Sequence, residues 1–306
     1  MRGAVVTGAG GFVGRALVAE LLACGIPVLA VVREGRQAPE HPLLQTVALE
    51  LSNLHGLPAL VRGEWDCFYH LAWEGTAGES RRDIRLQMDN AAHTAEAVHT
   101  AAKLGCQVFI GAGSIMEKEA LAVSEERGIR PGPGHAYASA KLAAHLFSEA
   151  AAVERGIGHI WPILTNAYGE GESSPRFLNT TLRKIAMGEP LVFSKASQNY
   201  DFIHVQDAAR ALRLLGQRGR PFCQYVIGSG QAKPLWEFIQ QMLALLAPKA
   251  SASFGQAPFE GVSLPLQAFD TADLREDTGF IPEISFEQGL CRTMDWILEQ
   301  NGPLEG

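Results

Sequence analysis

The sequence predicts an α/β fold, in which a doubly wound parallel sheet occupies the first half of the chain and a smaller, mixed C-terminal lobe follows it. Short runs rich in Val, Ile and Phe alternate with longer segments of helical periodicity over residues 1–165. Several runs are apolar at successive positions, as is typical of parallel strands covered by helices on both faces. From residue 166 the alternation loosens into sequence rich in Gly, Pro and Ser, which predicts the second lobe.

The individual elements follow from these two patterns. Strands are predicted at 4–6, 28–32, 46–49, 67–71, 107–110, 159–163 and 201–205, where the short apolar runs occur. Helices are predicted at 15–24, 83–104, 135–155 and 177–187, where apolar residues recur with helical spacing. No internal repeat or long linker separates the halves, so we expect two lobes of one unit.

Composition and charge exclude several classes of protein. A hydrophobic content of 47% in 306 residues is enough to bury a substantial core. The net charge of −7 offers no basic face, so nucleic acid is not an expected partner. The 5 cysteines are widely spaced, which predicts neither a metal site nor a disulfide framework. Without a signal-peptide pattern or an apolar stretch of spanning length, a cytoplasmic protein without membrane contact is expected.

Glycines cluster directly after the first predicted strand. A tight turn at this point brings backbone N–H groups against a pyrophosphate at the N-terminus of the next helix. Gly8 and Gly11 lack the Cβ that would obstruct this approach, and Gly14 permits close packing of the helix on the strand. We therefore predict a Rossmann-type dinucleotide site. Its expected residues are Gly8, Gly10, Gly11, Phe12, Val13 and Gly14.

The residue after the second predicted strand indicates which dinucleotide binds. An acidic residue there accepts hydrogen bonds from the ribose 2′-hydroxyl of NAD, whereas an arginine complements the 2′-phosphate of NADP. This chain has Arg33 at that point, with Arg36 close behind. We therefore expect NADP(H) as the cofactor. The adjacent Glu34 leaves NAD(H) as an alternative.

Three polar residues predict the chemistry. Tyr137 and Lys141 are four residues apart on a predicted helix and so share one face. A lysine cation beside a nicotinamide favours the tyrosinate, which makes the tyrosine a usable general acid or base. Ser114 follows the strand predicted at 107–110, at the sheet edge where the glycine turn lies. The three residues predict hydride transfer at a carbon that carries oxygen.

The order and spacing of these motifs resemble the extended short-chain dehydrogenase/reductase family, also called the NAD-dependent epimerase/dehydratase family, nearly from end to end. Matching its early motifs are the glycine turn, His70-Leu71-Ala72, Asn90, Ser114, Tyr137 and Lys141. Its later motifs are matched by Asn166-Ala167-Tyr168-Gly169, by residues 201–205 with Asp207, and by Gly228-Ser229-Gly230.

The resemblance implies a nucleotide-sugar substrate and a homodimer built on the helices predicted at 83–104 and 135–155. Leu71, Ala72 and Asn90 are expected to contact the cofactor, and Asn166 to lie near the sugar diphosphate. Residues 1–165, with 200–230 returning to them, are expected to form the NADP-binding domain. The substrate-binding lobe is expected to comprise 166–199 and 231–306.

Departures from the family pattern narrow the range of reactions that we expect. Ile115 and Met116 stand where 4,6-dehydratases carry an Asp-Glu pair, and they cannot eliminate water by acid–base action. No cysteine follows Ser114, which disfavours 3,5-epimerase/reductases. The segment 113–117 is similar to 4-keto-hexose reductases. Tyr200 replaces an arginine that normally contacts the substrate phosphate, which weakens the expectation of a nucleotide diphosphate.

We therefore expect reduction of a 4-keto nucleotide-(deoxy)sugar, with Ser114 orienting the carbonyl, Tyr137 donating the proton and Lys141 holding the ribose. Alternatives are a nucleotide-sugar C4 epimerase, a reductase or dehydrogenase of a non-sugar ketone, and a catalytically silent NADP-sensing regulator. The residues expected to bind substrate are Trp73, Ser114, Ile115, Met116, Asn166 and Tyr200. For Trp73, an ordinary packing role in a loop stays open beside a place in the cleft.

Overall fold

The computed structural model describes residues 1–35 and 40–301. Its strands are β1 (Ala4–Thr7), β2 (Val28–Val32), β3 (Leu44–Ala48), β4 (Cys67–His70), β5 (Val108–Gly111), β6 (Gly113–Ser114), β7 (Gly158–Leu164), β8 (Asn166–Tyr168), β9 (Leu191–Val192), β10 (Asn199–Tyr200), β11 (Phe202–His204), β12 (Cys223–Ile227), β13 (Lys233–Pro234) and β14 (Ala252–Ser253). Its helices are α1 (Phe12–Ala23), α2 (Leu57–Leu60), α3 (Ile84–Lys103), α4 (Met116–Glu125), α5 (His135–Arg155), α6 (Phe177–Met187), α7 (Val205–Arg218), α8 (Leu235–Leu246), α9 (Ala272–Thr278) and α10 (Phe286–Asn301).

The main sheet has the strand order β12–β7–β5–β4–β1–β2–β3, and every neighbouring pair is parallel. The order reverses at β1, since β2 lies on one side of it and β4 on the other. This arrangement confirms the predicted α/β fold with a doubly wound parallel sheet. The crevice at the reversal is where open α/β sheets bind their ligands.

Alternation along the central strands builds a core on each face of the sheet. In β1, Val6 packs on one face with residues of α1 and α7, such as Leu17 and Leu212. Val5 points to the opposite face and packs with residues of α3 and α5, such as Val98. Both faces are therefore covered by helices, which explains the uninterrupted apolar runs of the sequence.

Short strand β6 carries Ser114 to the carboxyl edge of the sheet. Strand β5 pairs with the start of β7, and β6 pairs with its end, where Ser114 lies beside Leu164. The chain therefore continues along β7 beyond the end of β5. This edge also holds the glycine turn after β1 and the residues after β4.

A third apolar core belongs to the second half of the chain. It is built by α6, α8 and α10, with Leu182, Phe238 and Leu290 among its buried residues. Strand β12 joins the main sheet beside β7, whereas β11 pairs with β8 in a separate two-stranded sheet. The segment 200–230 thus divides between the main sheet and a smaller one.

Helix and strand boundaries differ from the predictions in two instructive places. The helix predicted to begin at residue 15 begins at Phe12, because Gly11 already occupies the N-cap position. The strand predicted to reach residue 205 ends at His204, and Val205 opens α7. A strong amphipathic pattern over 205–218 was concealed by the strand motif that precedes it. No helix within the described ranges has the length and apolar character needed to cross a membrane.

Candidate active site

Backbone contacts fix the glycine turn. Gly8 has φ +68°, and a Cβ at this position would lie 2.7 Å from the backbone nitrogen of Ala72. A Cβ at Gly14 would lie 2.1 Å from the carbonyl oxygen of Gly8. Gly11 donates its N–H to that same oxygen at 2.9 Å and caps α1 without a side-chain hydrogen bond. The N-terminus of α1 is therefore bare and closely approachable, as a pyrophosphate requires.

The residues after β4 are bound to the strand that leads into this turn. Leu71 donates its N–H to the carbonyl of Thr7 at 3.2 Å, and Ala72 donates its N–H to Thr7 Oγ1 at 3.4 Å. His70 Nδ1 lies 3.0 Å from the same hydroxyl. Burial, aided by the charge of Lys141, lowers the pKa of His70 to about 3. His70 is therefore neutral at physiological pH and links the two loops.

The cofactor-selecting residues stand at the end of β2. Arg33 is exposed and directly follows Val32, the last residue of that strand. Glu34, also exposed, comes next. Arg36, the second arginine of the prediction, lies outside the described residues. The choice between NADP and NAD therefore stays a prediction.

Tyr137 and Lys141 meet near Trp73. Both are buried on α5, at 7% and 5% exposure. Lys141 Nζ donates to the carbonyl of Ala112 at 2.6 Å and lies 3.7 Å from the centre of the Trp73 ring. The Trp73 and Tyr137 rings meet edge to face at 5.9 Å. Burial lowers the pKa of Lys141 to about 7, and the buried Glu117 acts in the opposite direction.

Side chains of α3 hold Trp73 in place. Its Nε1–H donates to Gln87 Oε1 at 2.8 Å, and Gln87 Nε2 donates to the carbonyls of Gly75 and Ser80. Trp73 therefore lies against the Tyr137–Lys141 pair, with its ring fixed by a polar network.

Asn90 is fully engaged in this network. Its Oδ1 accepts the N–H of Glu74, and its Nδ2 donates to the carbonyls of Glu74 and Leu86. In this structure the Asn90 amide therefore positions the loop after β4. The predicted contact between Asn90 and the cofactor stays a prediction.

Sequence reasoning did not assign Glu117, which lies directly behind Ser114. Glu117 Oε1 accepts the backbone N–H of Ser114 at 2.7 Å, and Oε2 accepts the Nε1–H of Trp161 at 2.9 Å. The carboxyl group is 2% exposed, and burial raises its pKa. Ser114 Oγ in turn accepts the N–H of Met116 at 3.3 Å. A Ser-x-x-Glu pattern of this kind is the signature of a capping box, and it was the available signal.

Neighbouring side chains leave no room for a residue larger than glycine at position 113. A Cβ at Gly113 would lie 2.8 Å from Glu117 Oε1 and 2.4 Å from Trp161 Nε1. Trp161 stacks on His145, with ring centres 4.7 Å apart. The backbone next to Ser114 is therefore tightly packed and has little freedom to move.

The remaining predicted substrate residues lie on different elements or at their ends. Ile115 is buried at 7% exposure, and Met116 opens α4. Asn166 donates both its N–H and its Nδ2–H to the carbonyl of Asp201 at 3.1 Å. Tyr200 lies in β10, and burial raises its pKa. The structure thus brings Tyr137, Lys141 and Trp73 together and packs β6, which carries Ser114, against α5, while Asn166 is occupied by a backbone partner.

Comparison with known proteins identifies the family of the chain. Residues 4–228 match the family model described as the NAD dependent epimerase/dehydratase family. The chain belongs to this family. The resemblance stated from the sequence motifs is confirmed, and so is the expectation of an extended short-chain dehydrogenase type of enzyme, at the level of the family.

Relatives of this epimerase/dehydratase chain catalyse several reactions. GDP-6-deoxy-D-mannose reductase of Pseudomonas aeruginosa is 26% identical over 310 residues, which cover 95% of this chain and 96% of that protein. dTDP-glucose 4,6-dehydratase of Xanthomonas campestris pv. campestris is 27% identical over 158 residues, or 47% of this chain. Only 45% of that dehydratase is matched, so the chain spans about half the length of such curated relatives.

Among solved structures, MoeE5 in complex with UDP-glucuronic acid and NAD superposes with a TM-score of 0.79. It is 25% identical, and the match covers 96% of this chain and 98% of MoeE5. MoeE5, which is similar in fold to this chain, therefore binds both a nicotinamide dinucleotide and a nucleotide sugar.

Proposed function

We propose that this chain is an NADP(H)-dependent reductase of a 4-keto nucleotide-(deoxy)sugar. The observation that carries the proposal is the buried Tyr137–Lys141 pair, packed against Trp73 at the sheet edge that also holds the glycine turn. Similarity to a GDP-sugar reductase over 95% of the chain supports reduction. Residues 115–116, without an acidic pair, argue against dehydration.

The glycine turn fits a dinucleotide. Cβ atoms at Gly8 and Gly14 would collide with backbone, so the turn keeps a cradle that only glycines allow. Residues 8–14, with Leu71 and Ala72, would hold the pyrophosphate and adjoining groups. When bound, the cofactor supplies the hydride.

The chain's own residues handle the substrate oxygen. Ser114 Oγ orients the carbonyl by a hydrogen bond, and Tyr137 donates the proton to the same oxygen as negative charge develops on it. Lys141 holds the cofactor ribose and favours the tyrosinate that remains. Trp73, with Ile115 and Met116, lines the cleft and excludes water. Asn166 is proposed to lie near the sugar diphosphate, and Tyr200 to contact the substrate.

The two lobes are proposed to bind different ligands. Residues 1–165, with the returning segment 200–230, bind the cofactor, and residues 166–199 and 231–306 bind the substrate. The protein is proposed to be a homodimer joined through α3 and α5, which pack on each other. Both helices expose large apolar side chains, with Ile84 at 67% exposure and Phe147 at 59%.

The test measures consumption of NADPH by the purified protein with a panel of 4-keto nucleotide sugars. Wild type is expected to oxidise the cofactor in proportion to product. Tyr137→Phe is expected to lower kcat by about a hundredfold to ten-thousandfold, the usual range for a lost general acid, while NADPH binding persists. Unchanged turnover in Tyr137→Phe would contradict the proton-donor role.

A C4 epimerase is the second candidate, favoured by Glu34 beside Arg33 and by the NAD bound to MoeE5. An epimerase returns its hydride, so it would convert one sugar into another without net change in nicotinamide absorbance. Arg33→Ala tests the cofactor: affinity for NADPH is expected to fall about tenfold, because a charge-assisted contact is lost, with NADH affinity unchanged.

A further inference from the structure

Arg81 stands over the ring of the proposed proton donor. It belongs to the 3-10 turn Glu79–Arg82, in the loop between β4 and α3. Its Cζ lies 4.6 Å from the centre of the Tyr137 ring. A Cβ added to Gly134, at the start of α5, would be 3.8 Å from the same Cζ. The guanidinium therefore lies between the loop and the N-terminus of the catalytic helix.

One hydrogen-bond donor of Arg81 lacks an acceptor. Its Nε is buried and has no hydrogen-bond partner among the described residues. Within those residues Arg81 also has no carboxylate oxygen within ion-pair distance, whereas the adjacent Arg82 pairs with Glu79 at 3.5 Å. A buried guanidinium N–H without an acceptor is costly, so this Nε–H favours binding of a group that accepts a hydrogen bond.

Two acidic groups of this part of the fold already accept hydrogen bonds from other residues. Glu119 Oε2 accepts the N–H of Val262 at 3.3 Å, and both oxygens of Glu117 bind Ser114 and Trp161. The charge of Arg81 still reaches Glu119, since it lowers a carboxyl pKa that burial raises.

Other groups show which region Arg81 faces. Burial raises the pKa of Tyr200, and the charge of Arg81 offsets part of that rise. On the Lys141 side, Arg176 contributes to the lowered pKa of that amine. Arg81 and Lys141 therefore both lie near the Tyr137 ring, with Arg81 Cζ 4.6 Å and Lys141 Nζ 6.0 Å from its centre.

We propose that Arg81 binds an anionic group of the substrate beside Tyr137. The shared chemistry is an oxyanion, supplied either by a carboxylate on the sugar or by the diphosphate. Guanidinium N–H donors match the paired oxygens of both groups. This inference rests on the proposed function and deepens it, because it names a residue that recognises a charged group of the substrate.

Calorimetric titrations with the cofactor-loaded protein test the inference. The ligands are UDP-glucose, UDP-glucuronic acid, UDP, GDP, dTDP and inorganic pyrophosphate. The variants are Arg81→Gln, which keeps hydrogen bonding and loses charge, Arg81→Lys, which keeps charge, and Arg82→Gln, the matched control. Loss of a charge-assisted contact is expected to weaken binding by about tenfold to a hundredfold in Arg81→Gln. Arg81→Lys should lose less, and Arg82→Gln should match wild type.

The ligand series separates the two sources of the anion. If Arg81 contacts the diphosphate, Arg81→Gln weakens all diphosphates and pyrophosphate alike. If it contacts a sugar carboxylate, only UDP-glucuronic acid is weakened. Equal binding of every ligand by wild type and Arg81→Gln, or equal losses in the Arg82→Gln control, overturns the inference.

Failure of the proposed function gives a different result. If wild type binds no nucleotide sugar but binds pyrophosphate through Arg81, the anion site stands and the nucleotide-sugar proposal falls. If wild type binds no anion at all, the Arg81 inference is overturned as well. Thermal unfolding of each variant without ligand identifies any loss that comes from misfolding.

Discussion

Two loops reach the same edge of the sheet and are held in different ways. The glycine turn between β1 and α1 is shaped by its own backbone, since a Cβ at Gly14 would lie 2.1 Å from the Gly8 carbonyl oxygen. The loop between β4 and α3 is held by side chains: Gln87 binds Trp73 from 14 residues away, and Asn90 binds Glu74 from 16 residues away.

The difference determines what each loop can tolerate. A turn fixed by close backbone approach excludes every side chain at a few positions, and it cannot adjust without moving the strand or the helix. A loop fixed by side-chain hydrogen bonds loses its shape when one partner is removed, although the rest of the fold stays intact. Variants in the two loops should therefore fail differently, one in cofactor binding and the other in catalysis.

Among the variants that compare the two loops, the largest effect is expected from Gly14→Ala. The new Cβ meets backbone atoms, so the turn must shift, at a cost of about 1–3 kcal/mol in the free energy of unfolding. Displaced N–H groups should also weaken NADPH binding by about tenfold to a hundredfold, as a fluorescence titration would measure. Gly56→Ala is the matched control, because a Cβ there has nothing within 4 Å and Gly56 has φ −82°. Equal NADPH affinity in both variants would refute the proposed cradle.

The side-chain-held loop is tested by Asn90→Ala. The change leaves the backbone N–H and carbonyl of Glu74 without their partner, which is expected to cost about 2 kcal/mol. If Asn90 only positions the loop, kcat should fall with NADPH affinity unchanged. If it also contacts the cofactor, as the sequence predicts, NADPH affinity should fall in the same variant. Asp89→Ala, at a partly exposed pair with Arg85, is the control and should shift stability by roughly 0.5 kcal/mol or less.

The same contrast explains what the sequence could predict. Gly8, Tyr137 and Lys141 belong to patterns a few residues long, set by one turn or one helix face, so their positions followed from spacing alone. Glu117 accepts a hydrogen bond from Trp161, which is 44 residues away, and no local sequence pattern predicts that contact. The polar lining of the cleft is assembled by tertiary contacts in this way.

The placement of Arg81 was also beyond prediction. It lies in an irregular loop with no period to fix its direction, and its position over Tyr137 depends on how α5 crosses the sheet edge. The main strands of the first half and its long helices α1, α3 and α5, by contrast, followed from apolar periodicity, whereas α2 and α4 were not predicted.

A smaller effect is expected from Glu117→Gln. A glutamine offers one acceptor oxygen where the carboxyl group offers two, so either the Ser114 N–H or the Trp161 Nε1–H loses its partner. We expect a loss of about 1–2 kcal/mol in unfolding free energy and a lower kcat through displaced Ser114. A double-mutant cycle with Trp161→Phe, which removes the competing donor, should give a combined loss smaller than the sum. Strict additivity would show that the two groups do not interact.

The smallest effect concerns His70, whose ring joins the two loops through Thr7. Its pKa is lowered from 6.5 to about 3, so the folded protein binds fewer protons there than the unfolded chain. The stability this gives is complete above the unfolded value of 6.5 and is lost as pH falls towards 3. Between pH 7 and pH 6 the loss is expected to be roughly 0.7 kcal/mol, in this early part of the window.

Urea unfolding at the two pH values would check this. His70→Asn keeps a polar contact to Thr7 without a titrating ring, so its unfolding free energy should fall less than that of wild type between pH 7 and pH 6. His55→Asn, at an exposed histidine, should keep the wild-type pH dependence. An unaltered dependence in His70→Asn would mean that this ring does not stay neutral in the fold. A different titrating group would then account for the pH dependence of the unfolding free energy.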